Sequence, residues 1–128
     1  MKHIQSLIVS AALLVLGAGC AQLQPGHDAV VVRSEQIQQS IFDTVDTFLA
    51  YEKANREALW AINPGIKKAA DDLRRMFPLA NATALNMLDA YKWNRTLENK
   101  VNLMTALAVI EQARTEAQTW LIQSGGGQ

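Results

Sequence analysis

Three acidic side chains in the first half of the chain offer the chemistry of paired carboxylates. Asp43 and Asp46 stand one helical turn apart, and Glu52 follows in the same segment. Two carboxylates in unequal environments can serve as a general acid and a general base. Arg56, however, stands four residues after Glu52, which is the spacing of an ion pair on a helix. The sequence therefore favours a solvated face for the aspartates and a partly buried ion pair of Glu52 and Arg56, which Asn55 joins in a polar layer that fixes helix register.

Other catalytic and metal-binding patterns are missing from the sequence. His27 is the only histidine beyond the first few residues, and Cys20 is the only cysteine. A zinc site needs several His, Cys or carboxylate ligands, and a serine or cysteine nucleophile needs a base beside it. The only glycine run, residues 125–127, stands near the C-terminus and not in a phosphate-binding loop. The sequence thus predicts no enzyme activity, no cofactor and no metal.

The lone cysteine stands at the end of a segment with the three-part layout of a secretory signal. A weakly basic start is followed by the mostly apolar residues 4–16 and by three small residues before Cys20. Small residues are what a signal peptidase accepts beside the cut. The apolar run is shorter than the ~20 residues that a membrane span needs. The segment therefore predicts export, with residues 1–19 as a cleaved signal peptide.

The sequence Gly17-Ala18-Gly19-Cys20 resembles the lipobox of bacterial lipoproteins. Ala18 and Gly19 match the family pattern, whereas Gly17 stands where an aliphatic residue is usual. The resemblance, which covers the signal alone, implies that Cys20 carries acyl chains such as palmitate and becomes the first residue of the mature protein. Ala21, in place of an aspartate, implies sorting to the outer membrane. The resemblance therefore implies a small lipoprotein on the periplasmic face of the outer membrane.

Two alternatives exist for this segment. A plain signal peptide would leave Cys20 as a free thiol, and an uncleaved segment would form an N-terminal membrane helix. Acylation is favoured, because a lone thiol in an oxidising compartment is reactive unless it is paired or capped. Several acyl chains also hold a protein firmly, since each buried methylene adds ~0.8 kcal/mol.

The charge balance limits the partners of the protein. The chain has 12 basic and 12 acidic residues, whereas nucleic-acid binding requires a strongly basic face. We therefore predict no nucleic-acid partner and attachment to the membrane through the N-terminal lipid. The densest group of charges has mixed signs, which favours a solvated face over an anion site; it comprises Lys67, Lys68, Asp71, Asp72, Arg74 and Arg75.

The pattern after the signal predicts an all-α protein. A short tether, residues 20–28, precedes a bundle domain over residues 29–123, and a flexible tail follows at 124–128. Asp28 can cap the first helix, although the β-branched residues after it leave a start near Ser34 as an alternative. Short turns at Asn63-Pro64 and at residues 94–96 imply antiparallel neighbours. The three predicted helices span residues 29–62, 64–93 and 97–123.

The second predicted helix carries a continuous heptad of apolar residues: Ile66, Ala70, Leu73, Phe77, Ala80, Ala84, Met87 and Tyr91. Pro78 interrupts the backbone hydrogen bonds within it, which predicts a kink. The alternative is two short helices, with Asn81 as the cap of the second. The sequence thus predicts an antiparallel up-down-up three-helix bundle whose middle helix is kinked near Pro78.

Aromatic residues fall at the expected ends of the bundle. Trp60 and Trp120 are predicted to close the core at one end and Trp93 at the other, with ligand stacking as the alternative role. Tyr91, Trp93 and Arg95 form the most surface-like cluster of aromatic and basic residues, which could contact a partner protein or a cell-wall glycan.

Two functions fit these features. The first is a lipid-anchored bundle of the cell envelope that acts through protein–protein contact, with an unidentified protein or a second copy as partner. It should expose an apolar strip, for which helix one is the candidate. The alternative is a periplasmic carrier of a small apolar ligand, which should enclose a cavity beside Phe77 and Met87.

Replacing Cys20 by serine tests the anchor, because it removes the thiol that would carry the acyl chains. We expect an acylated Cys20 at the wild-type N-terminus by mass spectrometry, and we expect the Cys20→Ser variant to leave the membrane fraction. The lipidation hypothesis fails if the variant is processed and fractionates with membranes as the parent does.

Overall fold

The computed structural model describes residues 28–126, which form four α-helices and no strand. The long helices α1, α3 and α4 each pack against the other two, and α2 packs mainly against α3. The all-helical class predicted from the sequence is confirmed. The predicted signal, Cys20 and most of the tether lie outside the described residues. The helices are α1 (Ala29–Ala54), α2 (Arg56–Ile62), α3 (Pro64–Trp93) and α4 (Leu97–Gln123).

α1 begins where Asp28 caps it. The Asp28 carboxylate accepts hydrogen bonds from the backbone N–H groups of Val30 (2.8 Å) and Val31 (3.3 Å), which satisfies two of the amides that a helix start leaves unpaired. The alternative start at Ser34 is wrong, because Ser34 lies inside α1 and is buried.

The first predicted helix, residues 29–62, is divided in the structure at Asn55. There the backbone takes φ −117° and ψ 18°, and the Asn55 N–H is shared between the carbonyls of Tyr51 (3.1 Å) and Glu52 (3.3 Å). The Asn55 side chain also donates to the Tyr51 carbonyl, at 2.9 Å. Asparagine is a poor helix former because its amide competes for backbone groups in this way, and α2 therefore begins as a separate helix.

α3 has the predicted bounds and continues through Pro78 without interruption. Pro64 occupies its first position, where a missing N–H costs nothing, and the Asn63 side chain accepts from the Gly65 N–H at 3.0 Å. The alternative of two short helices is wrong. Asn81 lies inside α3, and its side-chain oxygen accepts a 3.1 Å hydrogen bond from Gln38 of α1.

The buried residues of α3 recur with the period of a straight α-helix and not with the seven-residue repeat that the sequence predicted. The heptad placed Met87 in the core, but Leu88 is buried there and Met87 is half-buried. A strict seven-residue repeat drifts by about 20° per repeat on a straight helix, so by the third repeat the buried position has moved by one residue. The buried residues of α3 instead recur after 18 residues, or five turns: Ile66 and Ala84, Ala70 and Leu88, Leu73 and Tyr91.

The bundle has two ends, which we name by residues. At the Asp28 end, the start of α1 lies beside the turn between α3 and α4, where Arg95 Nε is 3.3 Å from Asp28 Oδ2. At the Trp60 end, the turn into α3 meets the end of α4. A Cβ at Gly65 would stand 3.1 Å from the Trp120 ring, so this close approach favours glycine.

Truncating Phe48 should destabilise the fold far more than truncating Phe42, although both lie on α1. Phe48 is fully buried, whereas Phe42 is 46% exposed. We expect Phe48→Ala to lower the free energy of unfolding by ~3–5 kcal/mol, because the lost contacts leave a cavity, and Phe42→Ala to lower it by about 1 kcal/mol or less. Urea unfolding followed by circular dichroism measures both, and equal losses would contradict this core.

Candidate functional site

A buried carboxylate is the most enclosed ionisable group in the described part of the chain. Glu52 of α1 is 0% exposed, and one of its oxygens, Oε1, accepts hydrogen bonds from Arg56 Nε (3.2 Å) and Trp60 Nε1 (2.9 Å) of α2. The other oxygen, Oε2, accepts from the guanidinium of Arg74 on α3. Both oxygens are therefore satisfied, and the carboxylate joins three helices.

The surroundings of Glu52 determine its charge. Burial by itself raises the pKa of this carboxyl, but the hydrogen bonds and positive charges of Arg74 and Arg56 together lower the pKa below its ordinary value of 4.5. A general acid or base works best with a pKa near the operating pH. Glu52 is instead ionised at neutral pH, where it acts as a fixed anion that holds two cations.

The polar layer predicted around Glu52 has different members in the structure. Arg56 is half-exposed, and both its guanidinium and the Lys67 ammonium lie 5.1 Å from the centre of the Trp60 ring, which is within cation–π range. Asn55 is exposed, and its side chain bonds the Tyr51 carbonyl of α1, so it does not join the layer.

Sequence reasoning missed Arg74, which it placed on a solvated face. The distance of each residue from the turn at Asn63 could have identified this pair. Glu52 precedes Asn63 by as many residues as Arg74 follows it, and residues equidistant from the turn of an antiparallel hairpin lie side by side. The two aspartates remain apart from this cluster. Asp43 and Asp46 are exposed, and Asp43 accepts from Gln39 at 2.8 Å.

The predicted cluster of Tyr91, Trp93 and Arg95 is split between the core and the surface. Tyr91 is buried at 6% exposure, whereas Trp93 is 91% exposed. The two stand about 200° apart around the helix, so α3 directs them to opposite sides. Trp93 therefore does not close the core, contrary to the prediction, and Arg95 pairs with Asp28 beside it.

An apolar groove runs between α1 and α4. It has a volume of about 460 Å³, is open to solvent, and is lined by Ile37 of α1 and by Met104, Leu107 and Ala108 of α4. Glu111 and Arg114, which form an ion pair with each other, lie in its lining as well. We call this feature the α1/α4 groove.

An exposed apolar row continues from this groove along α4. Leu97, Val101 and Met104 are large exposed side chains, and with Ala108 they follow the helical spacing of one face; we call these four residues the α4 strip. The sequence predicted an exposed apolar strip on helix one, whereas this exposed row lies on α4. A second apolar row beside the core row is the signal that locates the strip.

Within residues 28–126, the side chains form no group of three or more His, Cys, Asp or Glu that could hold a metal ion. The same residues contain no helix that is both long and apolar enough to cross a membrane. Comparison with known proteins gives no match to a family model, to a curated protein or to a solved structure.

The free energy of unfolding should depend on pH in the acid range, because the ionised form of Glu52 stabilises the folded protein. Because its pKa is lowered in the folded protein, the stability that its ionised form contributes is fully present above pH 4.5 and is lost as the pH falls through the folded pKa. We expect Glu52→Gln to lower the free energy of unfolding by ~1–3 kcal/mol at pH 7, with a difference from wild type that shrinks below pH 4.5.

Glu111→Gln is the matched control for this measurement, because it removes one partner of a surface ion pair with Arg114. We expect a change of ~0.5 kcal/mol or less for it. Urea unfolding at a series of pH values decides between the two, and a Glu52→Gln difference that is independent of pH would contradict the assigned charge.

Proposed function

We propose that this protein is a lipid-anchored helical bundle of the bacterial cell envelope that acts through protein–protein contact at the α1/α4 groove. In this proposal Cys20 carries the lipid, the bundle faces the periplasm from the outer membrane, and the activity is binding and not catalysis. The observation that carries the proposal is the apolar groove with the exposed α4 strip beside it.

The anchor is supported by the N-terminal sequence. Cys20 is the only cysteine, follows an apolar run and three small residues, and stands eight residues before the Asp28 cap. That spacing limits the tether between the lipid and the bundle to at most about 28 Å, since an extended chain spans up to ~3.5 Å per residue.

Contact with a protein is supported by the apolar surface in the groove and directly beside it. Met104 in the groove and Val101 beside it are both about half-exposed. Contiguous exposed apolar surface on a soluble domain commonly marks an interaction site. A groove between two helices suits an amphipathic helix, whose apolar residues at spacings of three and four would fill it. We therefore propose a helix of a partner protein as the occupant, with a second copy of this chain as the other outcome of the test.

The directions of the long helices and a kink in α3 are part of the same proposal. We propose that α1, α3 and α4 run up, down and up, with α2 as a short extension at the Trp60 end. Short turns on both sides of α3 support this order. Pro78 supports a kink in α3, because its ring removes one backbone N–H and crowds the carbonyl of Arg74.

A carrier of a small apolar ligand is the second candidate. The groove volume of about 460 Å³ falls within the range of small-molecule sites, ~300–1,000 Å³. Such sites bury most of the ligand surface, however, and this groove is open to solvent. The groove also lies elsewhere than the cavity expected beside Phe77 and Met87, since neither residue lines it. Protein contact therefore ranks first.

Site-specific photo-crosslinking in living cells tests the contact. A photoreactive residue at Met104, in the groove, should give one discrete cross-linked product, whereas the same residue at the exposed Asn86 of α3 should not. Ala108→Glu should abolish the Met104 product, because it places a charge in the apolar lining. A product of twice the chain mass identifies a second copy. Equal products at Met104 and Asn86, or a product that survives Ala108→Glu, would refute the contact.

A further inference from the structure

The most exposed aromatic side chain in the described part of the chain stands at the Asp28 end. Trp93 is the last residue of α3 and is 91% exposed, and Leu97 is the first residue of α4 and is 77% exposed. Both flank the turn that carries Arg95. Two large apolar side chains thus protrude from the end of the bundle, where no neighbouring helix of the described residues covers them.

The charges around these two side chains are of both signs, and several are paired. Glu98 and Lys100, which follow Leu97 on α4, are exposed and opposite in sign. Arg95 lies 3.3 Å from Asp28, and Lys92 lies 2.7 Å from Glu35 and 3.9 Å from Asp89. This end therefore offers little net charge to an anionic surface, and its protruding groups are apolar. A tryptophan ring suits the boundary between acyl chains and headgroups, because it has an apolar body and one N–H donor.

The position of the N-terminus places this end near the proposed anchor. Asp28 follows Cys20 by eight residues, so the distance between them is at most about 28 Å at ~3.5 Å per residue. The opposite end is farther away, since the 30 residues of α3 span about 45 Å at 1.5 Å each. An anchor at Cys20 therefore favours an orientation with the Asp28 end toward the bilayer.

We propose that the Asp28 end of the bundle rests on the lipid bilayer, with Trp93 and Leu97 inserted into its interfacial layer. This inference rests on the lipid anchor of the proposed function. The α1/α4 groove then stands clear of the lipid. Ile37 follows Asp28 by nine residues in α1, or about 13 Å, whereas the headgroup layer is ~5–7 Å thick. A partner would be held beside the membrane surface.

Tryptophan quenching by brominated acyl chains tests this contact. The full chain, expressed with its own signal and purified from membranes, is reconstituted into phosphatidylcholine vesicles with bromine on the acyl chains. Of the three tryptophans, Trp60 and Trp120 lie at the far end, so we expect about one third of the emission to be quenched, as Trp93 alone reaches the lipid. Trp93→Phe should remove the quenching, and Trp120→Phe should retain it.

Three results would overturn the inference. These are the absence of quenching in the anchored wild type, quenching that survives Trp93→Phe, and quenching that requires anionic lipid. The last would mean attraction to headgroups and not apolar insertion. Circular dichroism of each variant checks that the fold is intact, which we expect for Trp93→Phe because the ring is exposed.

Mass spectrometry of the same preparation separates this inference from the proposed function. An unmodified Cys20 would refute the natural lipid anchor. The free thiol, the only one in the chain, would then be coupled to a maleimide lipid in the vesicles, which restores an anchor at the same position. Quenching lost in Trp93→Phe would still support membrane contact by this end, and its absence would overturn it.

Discussion

The arrangement of the helices depends on how the charge of Glu52 is compensated. A carboxylate removed from water costs several kcal/mol unless its oxygens are hydrogen-bonded and its charge is paired. Arg74 from α3 and Arg56 and Trp60 from α2 supply these partners. α2 follows the break at Asn55, and two of its side chains, Arg56 and Trp60, donate to Glu52. One buried charge thus links α1, α2 and α3 at the Trp60 end.

Much of the helical fold could be predicted from local chemistry. Capping by Asp28, Asn63 and Thr96 uses short-range hydrogen bonds, which the sequence shows directly. The break at Asn55 could not be predicted, because the apolar phase continues across it to the buried Leu59. The sequence also placed Met87 in the core where the structure buries Leu88. The heptad pattern and a straight α-helix differ by only a fraction of a residue per turn, so the predicted position shifts by one residue only after several turns.

The candidate site was less predictable, because its contacts lie between helices. Arg74 reaches Glu52 across the hairpin, and Gln38 of α1 bonds Asn81 of α3, whereas sequence periodicity reports only which face of one helix is apolar. Trp93 was assigned to the core from its position at a helix end. Its exposure depends on rotation about α3, which sets it opposite the buried Tyr91.

The two flanks of α1 differ in a way that favours the α1/α4 groove as the binding face. Toward α3, α1 is fixed by directional polar contacts, through Glu35, Gln38 and Glu52. Toward α4, the exposed surface of the groove is mostly apolar, through side chains such as Ile37 and Leu107. Outside the groove, the Tyr51 hydroxyl donates a 3.0 Å hydrogen bond to the Ser124 carbonyl after α4. Opening the first flank would leave polar groups unpaired, at ~1–3 kcal/mol each. An apolar helix can be accepted along the second flank without that cost, because apolar packing has no fixed direction.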